Sequence, residues 1–269
     1  MKAPRWLAVY AVLLFAFLYF PIVTLIVYSF NGQGVGGFPP HDLTLNWYRM
    51  LGSDDAIWSS VLNSLLVALA AVILALGFGI PAALALDRAE FPGKKLFRRL
   101  VLLPLILPGI ITGFSLHMFF FSAGIRLGLA SVVIGHGTAL ISVATTEIFA
   151  GLQAFDRRQE EASLDLGANY WQTLWRITLP NLRLSMIGAA LLIFTLSMDE
   201  IVVTFFLIGS DNTLPLEIWS RLRRGITPEI NAISTIIFVF SLVMILVWYH
   251  LRTRIQSREA AATELVQAA

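Results

Sequence analysis

The sequence contains no cysteine and little charge. Cysteine is absent from all 269 residues, which excludes a disulfide framework, a zinc–thiolate site and a cysteine nucleophile. Charged residues make up 13% of the chain, whereas soluble domains contain about 25%. The net charge of +2 is too small to indicate a nucleic-acid partner. Apolar residues are abundant instead: 57% of the chain is hydrophobic and its mean hydropathy is +0.77, which indicates a membrane protein.

The apolar residues occur in six long blocks. A helix needs about 20 apolar residues to cross the hydrocarbon layer of a membrane. The first block follows Lys2 and Arg5 and is too long for the apolar region of a signal peptide, so we interpret it as an uncleaved transmembrane helix. The predicted spans are residues 6–30, 61–86, 100–122, 129–153, 184–208 and 231–250. The predicted fold class is therefore an all-α membrane protein with six transmembrane helices.

The distribution of Lys and Arg predicts the orientation of these helices. Short cytoplasmic segments of membrane proteins carry an excess of both residues. If the amino terminus is inside, 14 of the 19 Lys and Arg residues lie on the inner side and 5 on the outer side. Both termini are therefore predicted to be cytoplasmic. The expected organisation is a first helix and external loop over residues 1–60, a core membrane domain over 61–250 and a cytoplasmic tail over 251–269.

The longest inner connection, residues 155–183, carries a distinctive pattern. Glu160 and Glu161 open a short helix, where carboxylates suit the positive end of the helix dipole. Gly167 permits a sharp turn, and Pro180 is suited to begin the next helix. The expected apolar face of the segment comprises Ala162, Leu166, Trp171 and Leu174. From the residues alone, the segment is either a surface helix on lipid headgroups or a docking site for a partner protein.

The same segment resembles the EAA loop of binding-protein-dependent ABC importer permeases. That family has Glu-Ala-Ala, three residues, Gly, nine residues and Ile-x-Leu-Pro, and the chain matches every spacing, with Ser163 in place of the second Ala. The resemblance implies a type I importer transmembrane domain, in which this loop forms a cytoplasmic coupling helix that docks on an ATPase subunit. The implied coupling residues are Glu160, Glu161, Ala162, Ser163, Asp165, Gly167, Ala168, Ile177, Leu179 and Pro180.

Further stretches are similar to the second permease subunit of spermidine and putrescine importers. They are Asn46-Trp47-Tyr48, Asn63-Ser64-Leu65, Ser197-Met198-Asp199-Glu200, the stretch from Leu214 to Trp219 and the stretch from Thr227 to Ala232. This resemblance implies a non-enzymatic, multi-pass subunit of a bacterial inner membrane that forms a polyamine path with a second permease. The implied partners are that permease, two ATPase subunits and a periplasmic substrate-binding protein.

Two alternatives to polyamine import remain open at this stage. The same architecture is compatible with another small solute, such as an opine, an amino-acid derivative or a ferric complex. A stand-alone channel or ion-driven carrier belongs to a different class, and it would need no coupling loop. The chain lacks a Gly-x-x-x-x-Gly-Lys-Ser/Thr phosphate loop, so we expect it to bind no cofactor and expect ATP and Mg²⁺ to be bound by the ATPase. His117 and His136 form no His-Glu-x-x-His pattern, and we expect no metal site.

Two acidic residues within the fifth apolar block, Asp199 and Glu200, are the candidate substrate-pathway residues. A carboxylate inside a membrane is costly unless it faces a cavity or a partner, which makes such residues functional candidates. They either attract the ammonium groups of a polyamine or sit at the external interface, paired with arginines in residues 221–224. Trp219 is a further candidate, through cation–π contact.

Three features of the third and fourth blocks predict local structure. Gly109-x-x-x-Gly113 predicts a close helix crossing. Pro104 and Pro108 predict a kink, because proline removes a helix hydrogen bond. Glu147 lies within the fourth block, and we expect it to hydrogen-bond to Thr145 or His117.

Overall fold

The computed structural model describes residues 5–32, 42–225 and 227–243 of the chain. Their regular structure is helical, apart from one isolated β-bridge between Asn31 and Leu43. A five-residue π-helix, Leu174–Thr178, lies between α8 and α9. The α-helices are α1 (Arg5–Tyr28), α2 (Asn46–Gly52), α3 (Asp55–Arg88), α4 (Lys94–Ile106), α5 (Gly109–Ser122), α6 (Leu129–Ala154), α7 (Arg158–Asp165), α8 (Tyr170–Thr173), α9 (Leu179–Asn181), α10 (Arg183–Met198), α11 (Val202–Leu207), α12 (Leu214–Arg224) and α13 (Pro228–Val243).

The chain divides into two compact units, one of residues 1–54 and 220–269 and one of residues 55–219. In the first unit, the Asn-Trp-Tyr stretch of α2 packs against the end of α1. The Tyr48 hydroxyl lies 2.6 Å from the Ser29 hydroxyl, and the Trp47 indole donates to the Asn31 carbonyl at 2.9 Å. Arg221 lies 2.8 Å from the Asp54 carboxylate. Within this unit, polar contacts therefore join α2 to the end of α1.

The core of the second unit is the packing of α3 against α6. Along α3, small residues recur every three or four positions and are fully buried; they are Ala68, Ala71, Ala75 and Ala83. Gly79 belongs to the same face, and a Cβ placed on it would lie 2.4 Å from the Cβ of Ala144 on α6. Small residues let helix backbones approach closely within a membrane. This alanine and glycine face therefore sets the distance between the two central helices.

Three described helices are long and apolar enough to cross a membrane without interruption: Trp6–Tyr28, Asp55–Arg88 and Leu129–Ala154. The third predicted span is bent by 106° between α4 and α5. The kink predicted at Pro104 and Pro108 is thus confirmed, and Leu107 is extended, as expected before a proline. Counting each bent pair as one span gives up to five crossings. The sixth predicted span, 231–250, lies partly outside the described residues, so the six-span topology stays a prediction.

The fifth predicted span is not one continuous helix. Helix α10 ends at Met198, residues 199–201 are non-helical, and the chain resumes as the short helix α11. Helix α11 packs against α5, where a Cβ on Gly113 would lie 2.9 Å from Phe206 and 3.1 Å from the Cα of Val203. The close crossing predicted from Gly109-x-x-x-Gly113 is confirmed at Gly113. Gly109 contributes less, because its nearest neighbour would lie at 3.7 Å.

Candidate functional site

The predicted coupling segment begins with helix α7. A tight turn at a glycine ends this helix. Glu160 and Glu161 occupy the first turn of α7, as predicted. Gly167 follows with a φ of +87°. Its N–H donates to the Leu164 carbonyl at 2.9 Å, and the Ala168 N–H donates to the Ser163 carbonyl at 3.1 Å. This pair of bonds is the Schellman arrangement, which favours glycine at the left-handed position. The turn predicted at Gly167 is therefore confirmed.

The two glutamates of α7 have different surroundings, a distinction that the sequence pattern does not reveal. Glu160 is half-buried, and its carboxylate accepts hydrogen bonds from the Arg88 guanidinium at the end of α3 and from the Thr178 hydroxyl in the π-helix. Glu161 is exposed. Glu160 therefore fastens α7 to the rest of the unit, and the Glu161 carboxylate is open to an external partner.

A second polar cluster at the end of α3 escaped the sequence analysis. The carboxylate of Asp87 is only 2% exposed. It accepts from the Arg157 guanidinium through both oxygens at 2.9 Å and from the Gln153 amide at 2.6 Å. The available signal was the Asp-Arg pair that ends a long apolar helix. Together with Glu160, this cluster connects the ends of α3 and α6 to the start of α7.

The one departure from the EAA pattern takes part in the local structure. The hydroxyl of Ser163 lies 3.0 Å from the hydroxyl of Thr173, a contact that an alanine cannot make. Asn169 begins α8, where its side chain accepts from the Gln172 N–H at 2.9 Å. The Ser163–Thr173 contact joins the two short helices on either side of the glycine turn, and the Asn169 side chain caps the second of them.

Large apolar side chains of the segment are exposed. Leu166 is 90% exposed, Trp171 65% and Trp175 66%. Leu174, however, is 7% exposed, so its expected place on the apolar face is wrong: it packs inward from the π-helix.

A groove with an empty volume of about 880 Å³ opens beside Leu166. Its lining includes the coupling candidates Ala162, Ser163, Gly167, Ala168 and Ile177. Asp165 and Pro180 are exposed, and Leu179 is half-buried.

The candidate pathway acids lie at the interruption between α10 and α11. Asp199 is exposed, whereas Glu200 is half-buried. One carboxylate oxygen of Glu200 accepts from the Val203 N–H at 2.9 Å. Glu200 also lines a cavity with an empty volume of about 680 Å³, together with Pro104, Thr112 and His136. The cavity thus adjoins the interruptions of the third and the fifth predicted span. Trp219, the third candidate, is 46% exposed on α12.

Buried His136 spans the interruption from α6. Its Nδ1 lies 2.8 Å from the Ser197 hydroxyl of α10, and its Nε2 lies 2.9 Å from the Thr204 hydroxyl of α11. Because Thr204 donates its one proton to the Glu200 carbonyl at 2.8 Å, it must accept from His136. The network therefore places a proton on Nε2, which donates to Thr204, while Nδ1 shares a hydrogen bond with the Ser197 hydroxyl. Sequence reasoning considered His136 only as a metal ligand and missed this role.

Replacing His136 by Leu is expected to destabilise the interruption. The substitution removes the histidine partner of the buried Ser197 and Thr204 hydroxyls, and leaving a buried polar group unpaired costs about 1–3 kcal/mol. The thermal unfolding midpoint of the purified chain should fall by several degrees, at about 2–4 °C per kcal/mol. His136→Gln, whose amide both donates and accepts, should recover part of the loss. Thr145→Val is the matched control, because the Thr145 hydroxyl, also buried in α6, donates to the Ile141 carbonyl of its own helix. Equal midpoints for His136→Leu and this control would contradict the assignment.

Glu147 does not make the contacts expected of it. The Thr145 hydroxyl donates to the Ile141 carbonyl at 2.8 Å, and His117 bonds to the Phe206 carbonyl at 2.7 Å. The predicted hydrogen bond from Glu147 to either residue is therefore wrong. Across the part of the chain that the structure describes, no group of three or more His, Cys, Asp or Glu side chains is placed to hold a metal ion.

Comparison with known proteins extends beyond the coupling segment. The chain is 36% identical over 238 residues to the spermidine/putrescine transport system permease protein PotC of Escherichia coli, covering 87% of this chain and 88% of that protein. It is 35% identical over 257 residues to the putrescine transport system permease protein PotI of the same organism, covering 91% and 90%.

The fold is also similar to that of a solved transporter. The crystal structure of a bacterial ABC transporter involved in the import of alginate contains a chain that matches with a TM-score of 0.69 at 19% identity, covering 94% of this chain and 98% of that one. Residues 75–260 match the family of binding-protein-dependent transport system inner membrane components. The apolar helices, the glycine turn after α7 and these likenesses lead to one assignment: the chain belongs to that family of multi-pass ABC importer permeases.

Proposed function

We propose that the chain is one of two permease subunits of an ATP-driven importer that carries a polyamine into the cell. The observation that supports this cargo best is the 36% identity to PotC over 87% of the chain. In the proposed complex, a periplasmic binding protein delivers the substrate and two ATPase subunits bind ATP and Mg²⁺. This chain holds no cofactor of its own, and it contributes half of the translocation path.

The proposed mechanism is mechanical, with both termini and α7 on the cytoplasmic side of six crossings. Closure of the ATPase subunits displaces α7, which they contact through Glu161 and the exposed Leu166 and Trp171. The contacts of Glu160 with Arg88 and Thr178 support transmission of that displacement. They bind α7 to the end of α3 and to the π-helix that leads into α10. Coupling of this kind requires a rigid connection to a bundle with two packings of similar energy.

The proposed substrate contact is the carboxylate of Glu200. It lines the cavity at the two interrupted spans, where a desolvated carboxylate attracts an ammonium group strongly. Asp199 is exposed beside it and adds negative charge. Arg221, one of the arginines considered as a partner for these acids, has its own ion pairs with Asp54 at 2.8 Å and Glu229 at 3.8 Å. A path for an anionic solute would not be lined by Glu200.

The test of the cargo is ATP-driven uptake of labelled putrescine and spermidine by the reconstituted complex with its binding protein. Opines, amino acids and ferric complexes serve as competitors. Inhibition by polyamines alone is the expected result. Transport of another solute without polyamine uptake would overturn the cargo and leave the importer assignment intact. Uptake that needs no ATPase would indicate a channel or ion-driven carrier.

Neutralising Glu200 is expected to weaken substrate binding without loss of assembly. Glu200→Gln keeps an oxygen that can accept from the Val203 N–H, so the start of α11 is preserved. Loss of a charge-assisted contact costs about 1.5–3 kcal/mol, and the KM for putrescine should rise about tenfold or more. Asp199→Asn, a change of the same kind at an exposed neighbour, should have a smaller effect. Unchanged uptake kinetics for Glu200→Gln would assign Glu200 a purely structural role.

A further inference from the structure

A basic cavity is lined by residues of α3, α4 and α6, and it shares no lining residue with the groove of the coupling segment or with the cavity that Glu200 lines. Its empty volume is about 650 Å³. One part of its wall is cationic and consists of Lys94, Lys95 and Arg98; another is apolar and consists of Leu86, Leu102 and Phe149. We propose that this cavity binds an anionic phospholipid, with the phosphate on the cations and an acyl chain along the apolar wall.

The cations of this cavity exceed the acids available to them. Lys94 lies 2.8 Å from the Glu90 carboxylate. Among the described residues, Lys95 and Arg98 have no acidic partner within 4.0 Å, and both are exposed. Helix α4 has no acidic residue in its first turn, so the positive end of its dipole adds to this charge. The cavity is therefore suited to an anion.

The positions of the cavity walls are fixed by specific contacts. The guanidinium of Arg98 lies over the ring of Phe149 at 5.6 Å from the ring centre, which orients its side chain across the cavity by a cation–π contact. Deeper in the membrane domain, the buried Ser142 hydroxyl of α6 donates to the Val101 carbonyl of α4 at 2.7 Å. This bond holds α4 against α6, so the cationic and apolar walls keep their separation.

The chemistry of the walls favours a lipid over a soluble anion. A free phosphate or nucleotide has no acyl chain to pack against Leu86, Leu102 and Phe149. A phospholipid places its headgroup on the polar surface and its chain on the adjoining apolar surface. The outer face of α4 is itself apolar, with Leu96, Leu100 and Leu103 exposed, so the cavity adjoins the lipid phase. Basic pockets between membrane helices are known to bind anionic headgroups.

Native mass spectrometry of the full-length chain, purified with its transporter subunits, tests this site with phosphatidylglycerol as the probe. Retention of phosphatidylglycerol over phosphatidylcholine is the expected result. Arg98→Gln should reduce that retention about fivefold, and Arg98→Lys should preserve most of it. Arg99→Gln is the matched control: it removes the same charge one residue away, and Arg99 does not line the cavity.

Three results would overturn the proposal. Equal losses for Arg98→Gln and Arg99→Gln would mean that the lipid is attracted by the general basic surface. Displacement of the bound phosphatidylglycerol by inorganic phosphate would mean that the cavity is a soluble-anion site. Equal retention of phosphatidylglycerol and phosphatidylcholine would mean that headgroup charge is not recognised. None of these outcomes depends on the identity of the transported solute, so failure here leaves the proposed polyamine import unaffected.

Discussion

Charge reversal by Glu161→Lys is expected to abolish ATP-driven uptake while the permease still reaches the membrane. The Glu161 side chain is exposed in the first turn of α7, so its replacement disturbs no internal packing. The substitution places a cation where the proposed ATPase contact needs a carboxylate, and it opposes the helix dipole. The measurements are uptake by vesicles reconstituted with the complex and its binding protein, substrate-stimulated ATP hydrolysis, and the amount of permease in the membrane.

Glu160→Gln is the comparison variant. It changes the neighbouring glutamate, whose contacts are inside the protein, whereas Glu161 is exposed. The change weakens the hydrogen bonds from Arg88 and Thr178, so we expect reduced stability and partial loss of uptake, with the ATPase still bound. A Glu161→Lys transporter that co-purifies with a normal amount of substrate-stimulated ATPase would contradict the docking role of Glu161.

The glycine turn could be predicted from sequence because its causes are local. A helix that ends in a Schellman arrangement needs a residue in the left-handed region, and Gly167 stands directly after the last polar turn of α7. The position of the acids in the first turn follows from the helix dipole in the same way. The uninterrupted spans could also be predicted from the sequence, because the length of an apolar run indicates whether a helix can cross the membrane.

The interruptions and the different roles of the two glutamates depend on residues far apart in sequence. No residue near Glu160 in the sequence indicates that its partner is Arg88, which precedes it by 72 positions. Hydropathy treats residues 184–208 as continuous, whereas the chain leaves the helix at 199–201. There His136 on α6 bonds to Ser197 and Thr204. The histidine lies on another helix, 61 positions before Ser197, so the sequence around the break does not reveal this contact.

Because the interruptions depend on distant residues, the sequence predicted the two pathway acids only as a pair. Asp199 and Glu200 are neighbours with the same chemistry, so composition cannot rank them. In the structure, Asp199 is exposed, and Glu200 alone of the two lines the cavity with Pro104 and His136. The bend at Pro104 and Pro108 was predictable, but not that the second interrupted segment would pack beside it.

Replacing Gly79 by Leu is expected to prevent accumulation of folded permease. The first added atom, a Cβ, would lie 2.4 Å from the Cβ of Ala144, 3.1 Å from the backbone nitrogen of Thr145 and 3.2 Å from the backbone carbon of Ala144. Backbone atoms cannot rotate out of the way, so α3 and α6 must separate. Overpacking of a well-packed core costs about 1–3 kcal/mol, and separation of the two central helices adds the loss of contacts along the whole alanine face. The expected measurement is a near-complete loss of monodisperse protein after detergent extraction, read by fluorescence-detected size exclusion.

Gly77→Leu separates this packing effect from the general effect of a larger side chain in α3. Gly77 lies two residues earlier on the same helix and is exposed, and a Cβ added there meets nothing within 4 Å. Both substitutions remove a helical glycine and add the same apolar side chain, so they have the same effect on helix propensity and on hydropathy. Gly77→Leu should therefore accumulate at the level of the unmodified chain. If both variants accumulate equally, α3 and α6 do not cross closely at Gly79, and the alanine face does not determine the separation of the two helices.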